Sequence, residues 1–150
     1  MKIQILSRFN ASVLFELEAE ENTFKITLQA AVKASADLGG ADLGGANLYG
    51  ADLYGANLRG ADLGGEILSK TPLQLNNLRW FVLISDSFLR IGCQRHSIED
   101  WKKFSEEDIA KMDSSALAFL HKWKAPILAL CDAHNKTEAV KAETKPQNAN

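Results

Sequence analysis

Hydrophobic and polar positions repeat with three different periods along this chain. Lys2 to Phe9 and Val13 to Glu20 alternate as strands do, around Asn10-Ala11-Ser12. In the second run Val13, Phe15, Leu17 and Ala19 share one face, and Glu16, Glu18 and Glu20 share the other. This predicts a β-hairpin with one face turned to a core. Phe24 to Lys33 fits two periods: Phe24, Ile26 and Leu28 alternate, whereas Phe24, Leu28, Ala31 and Val32 share a helical face. We favour a short helix capped by Asn22 or Thr23, lying over the first of the repeats that follow.

From Ala36 to Gly65 the period becomes five, and the same phrase is written six times: Ala, then Asp or Asn, then Leu, a variable residue and Gly. Five residues match neither the helical 3.6 nor the strand 2.0. On an α-helix, Leu38, Leu43, Leu48 and Leu53 would spread around the axis, and the Gly-Gly pairs oppose a helix further. A chain that turns a corner every five residues instead places each Leu inward. The small Ala two residues earlier also faces in, and the Asp or Asn between them faces out. Gly takes the corner, where unusual dihedrals are required. Such short units bury nothing alone, so they must stack.

These repeats resemble the pentapeptide-repeat family, with motif A(D/N)LxX. The resemblance implies a mainly β fold with some α: a right-handed quadrilateral β-helix with four repeats per coil and coils about 4.8 Å apart. Asp42 is then expected over Asp62, and Asp37 over Asn57. The leucine phase persists at Leu68, Leu73, Leu78, Leu83 and Phe88, but Glu66, Thr71, Asn76 and Phe81 replace the small residue. We read Glu66 to Asn77 as a degenerate continuation. The expected organisation is a hairpin and helix cap over 1–35, the repeat β-helix over 36–78, a C-terminal α/β module over 79–135 and a disordered tail over 136–150.

Beyond the repeats, Arg79 to Ser85 and Phe88 to Cys93 bracket Asp86-Ser87 as a second hairpin. Ser97 with Asp100, and Ser105 with Asp108, are capping-box-like helix starts. Asp113 or Ser114 could cap a last helix with an apolar stripe through Leu117, Leu120, Trp123, Ile127, Leu130 and Cys131. Pro126 is expected to kink or break it. The stretch from Phe88 to Trp101 is similar to a C-terminal module of pentapeptide-repeat proteins from tailed phages and prophages, and the opening hairpin resembles their N-terminal cap.

Charge and composition narrow the function. The 150 residues carry a net charge of −2, which gives no bulk basic character for nucleic acid. No run of apolar residues is long enough to span a membrane. Two cysteines in a chain that opens as a strand, without a leader pattern, lead us to expect the cytoplasm of a bacterial host.

Candidate chemistry is sparse. Cys93-x2-His96 and Cys131-x2-His134 could supply four zinc ligands, but residues three apart on a strand point to opposite faces, and Cys131 sits on an apolar stripe. Cys93 with His96 lacks an orienting third group, and His121 beside Lys122 reads as solvated, so no catalytic residue, metal or cofactor is expected. Asp42, Asp52 and Asp62 form an outward acidic row. Tyr49, Tyr54 and Arg59 interrupt the glycines at the variable position. Both sets are candidates for partner binding, against a solvated face for the row and packing against a cap for the aromatics. Trp101, Phe104, Phe119 and Trp123 are candidates for an oligomer interface, most simply a dimer, because a short rod has two ends to hide.

The resulting expectation is a non-catalytic phage or prophage accessory protein that binds a host protein through the rod. One form of it is a partial DNA mimic that inhibits a topoisomerase or a defence system. The alternatives are a self-assembling scaffold, or an oligomer that binds a small ligand between subunits.

Overall fold

A computed structural model describes residues 1–48 and 50–143, the side chains of 137–143 excepted. The chain has mixed β structure with helix at both ends. The expected N-terminal hairpin is present: β1 (Lys2–Leu6) pairs antiparallel with β2 (Val13–Glu18). Helix α1 (Phe24–Lys33) follows, and Thr23 is its cap, accepting from the Ile26 N–H at 3.2 Å. Asn22 sits buried beneath it and ties hairpin to helix, donating to the Leu17 carbonyl and accepting from the Thr27 hydroxyl.

Within the repeats, the N–H of each following Ala donates to the Leu carbonyl three residues back, from Ala41 to Leu38 through Ala61 to Leu58, every bond 3.0 Å. The Gly just before that Ala holds φ between 66° and 78° at Gly40, Gly45, Gly50, Gly55 and Gly60. A positive φ at the third turn position marks a type II turn and explains why glycine recurs there. Leu38, Leu43, Leu48, Leu53 and Leu58 are buried, with Ile5, Leu28 and Ala31 from the N-terminal elements packed among them. Asp37 forms a parallel bridge with Asn57, and Asp42 with Asp62, so positions four repeats apart lie side by side.

Both ends of this stack are covered by the chain itself. At the first, Ser7 bridges to Ala41, the Asp42 N–H donates to Leu6 O, and the Arg8 side chain donates to Gly60 O. At the second, side chains take over from backbone. The Gln74 amide accepts from the Leu53 N–H (2.8 Å) and donates to Ala51 O (2.6 Å). Thr71 accepts from the Leu58 N–H and donates to Ala56 O.

The expected continuation over Glu66 to Asn77 is corrected here. The chain reverses at Gly64-Gly65, both at positive φ, and β3 (Asp62–Leu63) pairs antiparallel with β4 (Glu66–Ile67). Two successive positive φ values suit a two-residue hairpin turn, whereas Gly39 and Gly44 do not share the positive φ of Gly64. Leu68 still joins the repeat core, but Leu73 and Leu78 pack into a second one.

That second core is built on a four-stranded antiparallel meander: β5 (Leu73–Leu75), β6 (Val82–Ile84), β7 (Phe88–Ile91) and β8 (Gln94–Ser97). Strands β6 and β7 are the expected second hairpin; β5 and β8 extend it. One sheet face carries Gln74, Leu83, Arg90 and Arg95 toward the repeats. The other places Val82, Ile84, Leu89 and Ile91 against the helices.

Those helices start where the caps predict. Ser97 caps α2 (Ile98–Lys103), and Ser105 with Asp108 forms a full capping box on α3 (Glu106–Met112). Helix α4 (Ala116–Glu143) runs through Pro126 without a break. It also carries 136–143, expected as tail, on helix-forming Ala, Lys and Glu residues; the rest of that segment, 144–150, lies outside the described residues.

Candidate recognition surface

The outward positions of the repeats divide into residues that hold the turns and residues that hold nothing. Each acidic side chain belongs to the first group. Asp42 Oδ1 accepts from the Gly44 N–H (3.0 Å), Asp52 Oδ1 from the Tyr54 N–H (3.0 Å), and Asp37 Oδ1 from the Gly39 N–H (2.9 Å). Asn57 does the same for Arg59, and Asp62 reaches one residue further, to Gly65. A carbonyl-type oxygen three bonds from Cα is what the turn requires, and Asp and Asn supply it equally. The alternation of Asp and Asn in the motif thus has a local cause. Asn57 also donates to Asp37 Oδ1 at 2.8 Å, a rung between neighbouring strands.

A substitution pair separates charge from turn. Asp42→Asn should leave stability nearly unchanged, whereas Asp42→Ala should cost about 0.5–1.5 kcal/mol, the usual worth of such a hydrogen bond. Urea unfolding of the two variants checks this; equal losses would assign the effect to charge.

Tyr54 belongs to the second group. Its backbone is fixed by Asp52, yet its side chain is 91% exposed. Arg59 holds the same place in the next repeat and is also exposed. Tyr49, the other expected aromatic, lies outside the described residues.

The residues expected at an oligomer interface sit elsewhere. Trp101 and Phe119 are buried in the second core: the Trp101 indole donates to Leu89 O at 2.7 Å, and Phe119 meets Trp80 edge-on. Phe104 and Trp123 are half-buried against the same core. The small module buries these rings because a sheet face and three helices enclose them, so the surplus of apolar residues has an internal home.

Cys93 is exposed in the β7–β8 turn, while Cys131 is buried on α4, where burial pushes its thiol up to about 11. His96 shares a 2.8 Å hydrogen bond with Gln94 and stacks edge-on with Trp101 and Phe104. His121 lies exposed, 2.8 Å from Glu106. Among the described residues no group of three or more His, Cys, Asp or Glu side chains could hold a metal ion. No helix among them is long and apolar enough to cross a membrane.

No curated protein and no solved structure matches this chain. The turns, the inward leucines and the twenty-residue pairing fall in the one segment that a family model recognises: residues 34–65 match the model described as pentapeptide repeats (8 copies).

Proposed function

We propose that residues 36–65 form one and a half turns of a right-handed quadrilateral β-helix, and that the chain is a non-catalytic recognition module. It binds a partner protein across the outer corners that carry Tyr54 and Arg59. The parallel bridges four repeats apart and the five equivalent corners support the fold reading.

The observation that carries the function is Tyr54. An aromatic ring held almost wholly in water, on a corner whose backbone is already fixed, contributes nothing to its own core. Aromatics next to arginine are favoured at protein interfaces, where they supply large rigid contacts. One oxygen of each carboxylate in the Asp row holds a turn, and the outward-facing row stands at the surface. Its role is to steer a cationic surface, and partial DNA mimicry is the strongest form of that role. The resemblance to phage-encoded repeat proteins makes a host protein the expected partner. Self-assembly through the rod ends has less support, since hairpin, Gln74 and Thr71 cover both ends within one chain.

The test is affinity capture from bacterial lysate with mass spectrometry, on wild type and two double variants. Tyr54→Ala with Arg59→Ala should lose the partner at any salt concentration. Asp42→Asn with Asp62→Asn, which preserves the turn bonds, should weaken capture chiefly at low salt. A partner retained by both variants would sink the reading.

A further inference from the structure

We propose that the cleft between the repeats and the four-stranded sheet binds a small organic anion, its charged head between Arg90 and Arg95 and its apolar body along Leu43, Leu63 and Leu83. This site is distinct from the outer corners that carry Tyr54 and Arg59. The cleft encloses about 490 Å³, within the range that holds small-molecule ligands.

Its floor is the sheet face turned to the repeats. Arg90 and Arg95 are direct cross-strand partners there, on β7 and β8, and both are half-buried. Like charges placed opposite each other in this way are destabilising. Among the described residues, the one carboxylate within ion-pair range of either does not balance the pair. Glu66 Oε2 lies 3.9 Å from an Arg95 nitrogen, and the Glu66 carboxylate is already held by the Ser85 hydroxyl and the Ser87 N–H. Among the described residues Arg90 has no hydrogen-bond or ion-pair partner.

The two guanidinium groups are prepared differently. Arg95 is fixed: it stacks 3.8 Å from the Phe88 ring centroid and donates to Leu63 O at 3.2 Å. Arg90 is left with its donors unused. A planar fork beside a second cation suits carboxylate or phosphate, which can bridge the two.

The opposite wall is made by the repeats, and glycine hollows it. A Cβ at Gly45 would meet nothing within 4 Å, and one at Gly64 would approach the Arg95 guanidinium at 3.8 Å. Leu43 and Leu63 line the cleft from the edge of the repeat core, and Leu83 lines it from the sheet, beside Arg90. An apolar wall with two cations on the floor discriminates for a molecule that is both greasy and negatively charged. Cys93 stands on the lining and is exposed, so an occupant would shield it.

The experiment uses decanoate as probe and decanol as its neutral control, with binding read by calorimetry and by iodoacetamide alkylation followed by intact mass. Cys131 is buried, so alkylation reports Cys93 alone. Decanoate should bind and slow alkylation of Cys93, and decanol should bind at least tenfold more weakly. Arg90→Gln should weaken decanoate about tenfold, the usual worth of a charged hydrogen bond, while the unliganded melting temperature rises as the repulsion with Arg95 is relieved. Decyl phosphate in parallel shows which headgroup the pair prefers. Absence of decanoate binding, equal binding of decanol, full affinity in Arg90→Gln, or binding that leaves Cys93 alkylation unaltered would each overturn the proposal.

Discussion

Leu53→Ala should lower the free energy of unfolding by about 2–5 kcal/mol, the range for truncating a buried leucine where the cavity cannot collapse. Leu53 is 1% exposed and belongs to the cluster of buried leucines in the repeat core. Its neighbours are held by turns every five residues, so the backbone has little freedom to close on the void. Urea unfolding monitored by circular dichroism gives the measurement. Tyr54→Ala, one residue away and fully outside the core, should stay within about 0.5 kcal/mol of wild type. Similar losses in the two variants would remove the buried leucine cluster as the basis of stability.

Gln74→Leu should cost nearly as much, about 2–4 kcal/mol, through a different mechanism. Gln74 is a single side chain that substitutes for a peptide group: it accepts from one residue of the last repeat edge and donates to another. Leucine fills the space and leaves the Leu53 N–H and the Ala51 carbonyl without partners, each at about 1–3 kcal/mol when shielded from water. The exposed edge should also promote association, which sedimentation or light scattering would detect. Gln74→Glu keeps the acceptor and loses the donor at neutral pH, so it should fall between the two. A Gln74→Leu protein as stable and monodisperse as wild type would show that water serves this edge equally well.

The parts of the molecule that follow a period are legible in its sequence. The inward leucines, the corner glycines, the N-terminal hairpin and the serine caps of α2 and α3 all depend on residues close in sequence. What escaped depends on residues far apart. Leu63-Gly64-Gly65 spells the same letters as Leu38-Gly39-Gly40, yet one reverses the chain and the other turns a corner, and the first Gly takes a positive φ only where the chain reverses. Gln74 and Thr71 look like a decayed repeat until the edge they face is known. The acidic row looked like free charge because an Asp that holds its own turn carries no mark distinguishing it from a solvated one. The pairing of Arg90 with Arg95 required the register of β7 and β8, which a two-residue Gly92-Cys93 turn sets.

On the proposed β-helix reading, the two end covers also let the repeat segment change length in only one kind of step. The hairpin reads the edge that begins at Ala41, and Gln74 and Thr71 read the edge from Ala51 to Leu58. A step of four repeats separates the paired positions, since Asp37 meets Asn57 and Asp42 meets Asp62. Gene duplication that adds four repeats at a time would therefore lengthen the protein with both covers still in register. Adding one, two or three would present the covers with the wrong edge. Lineages that carry this architecture should accordingly differ in size by quanta, as bricks in a course do.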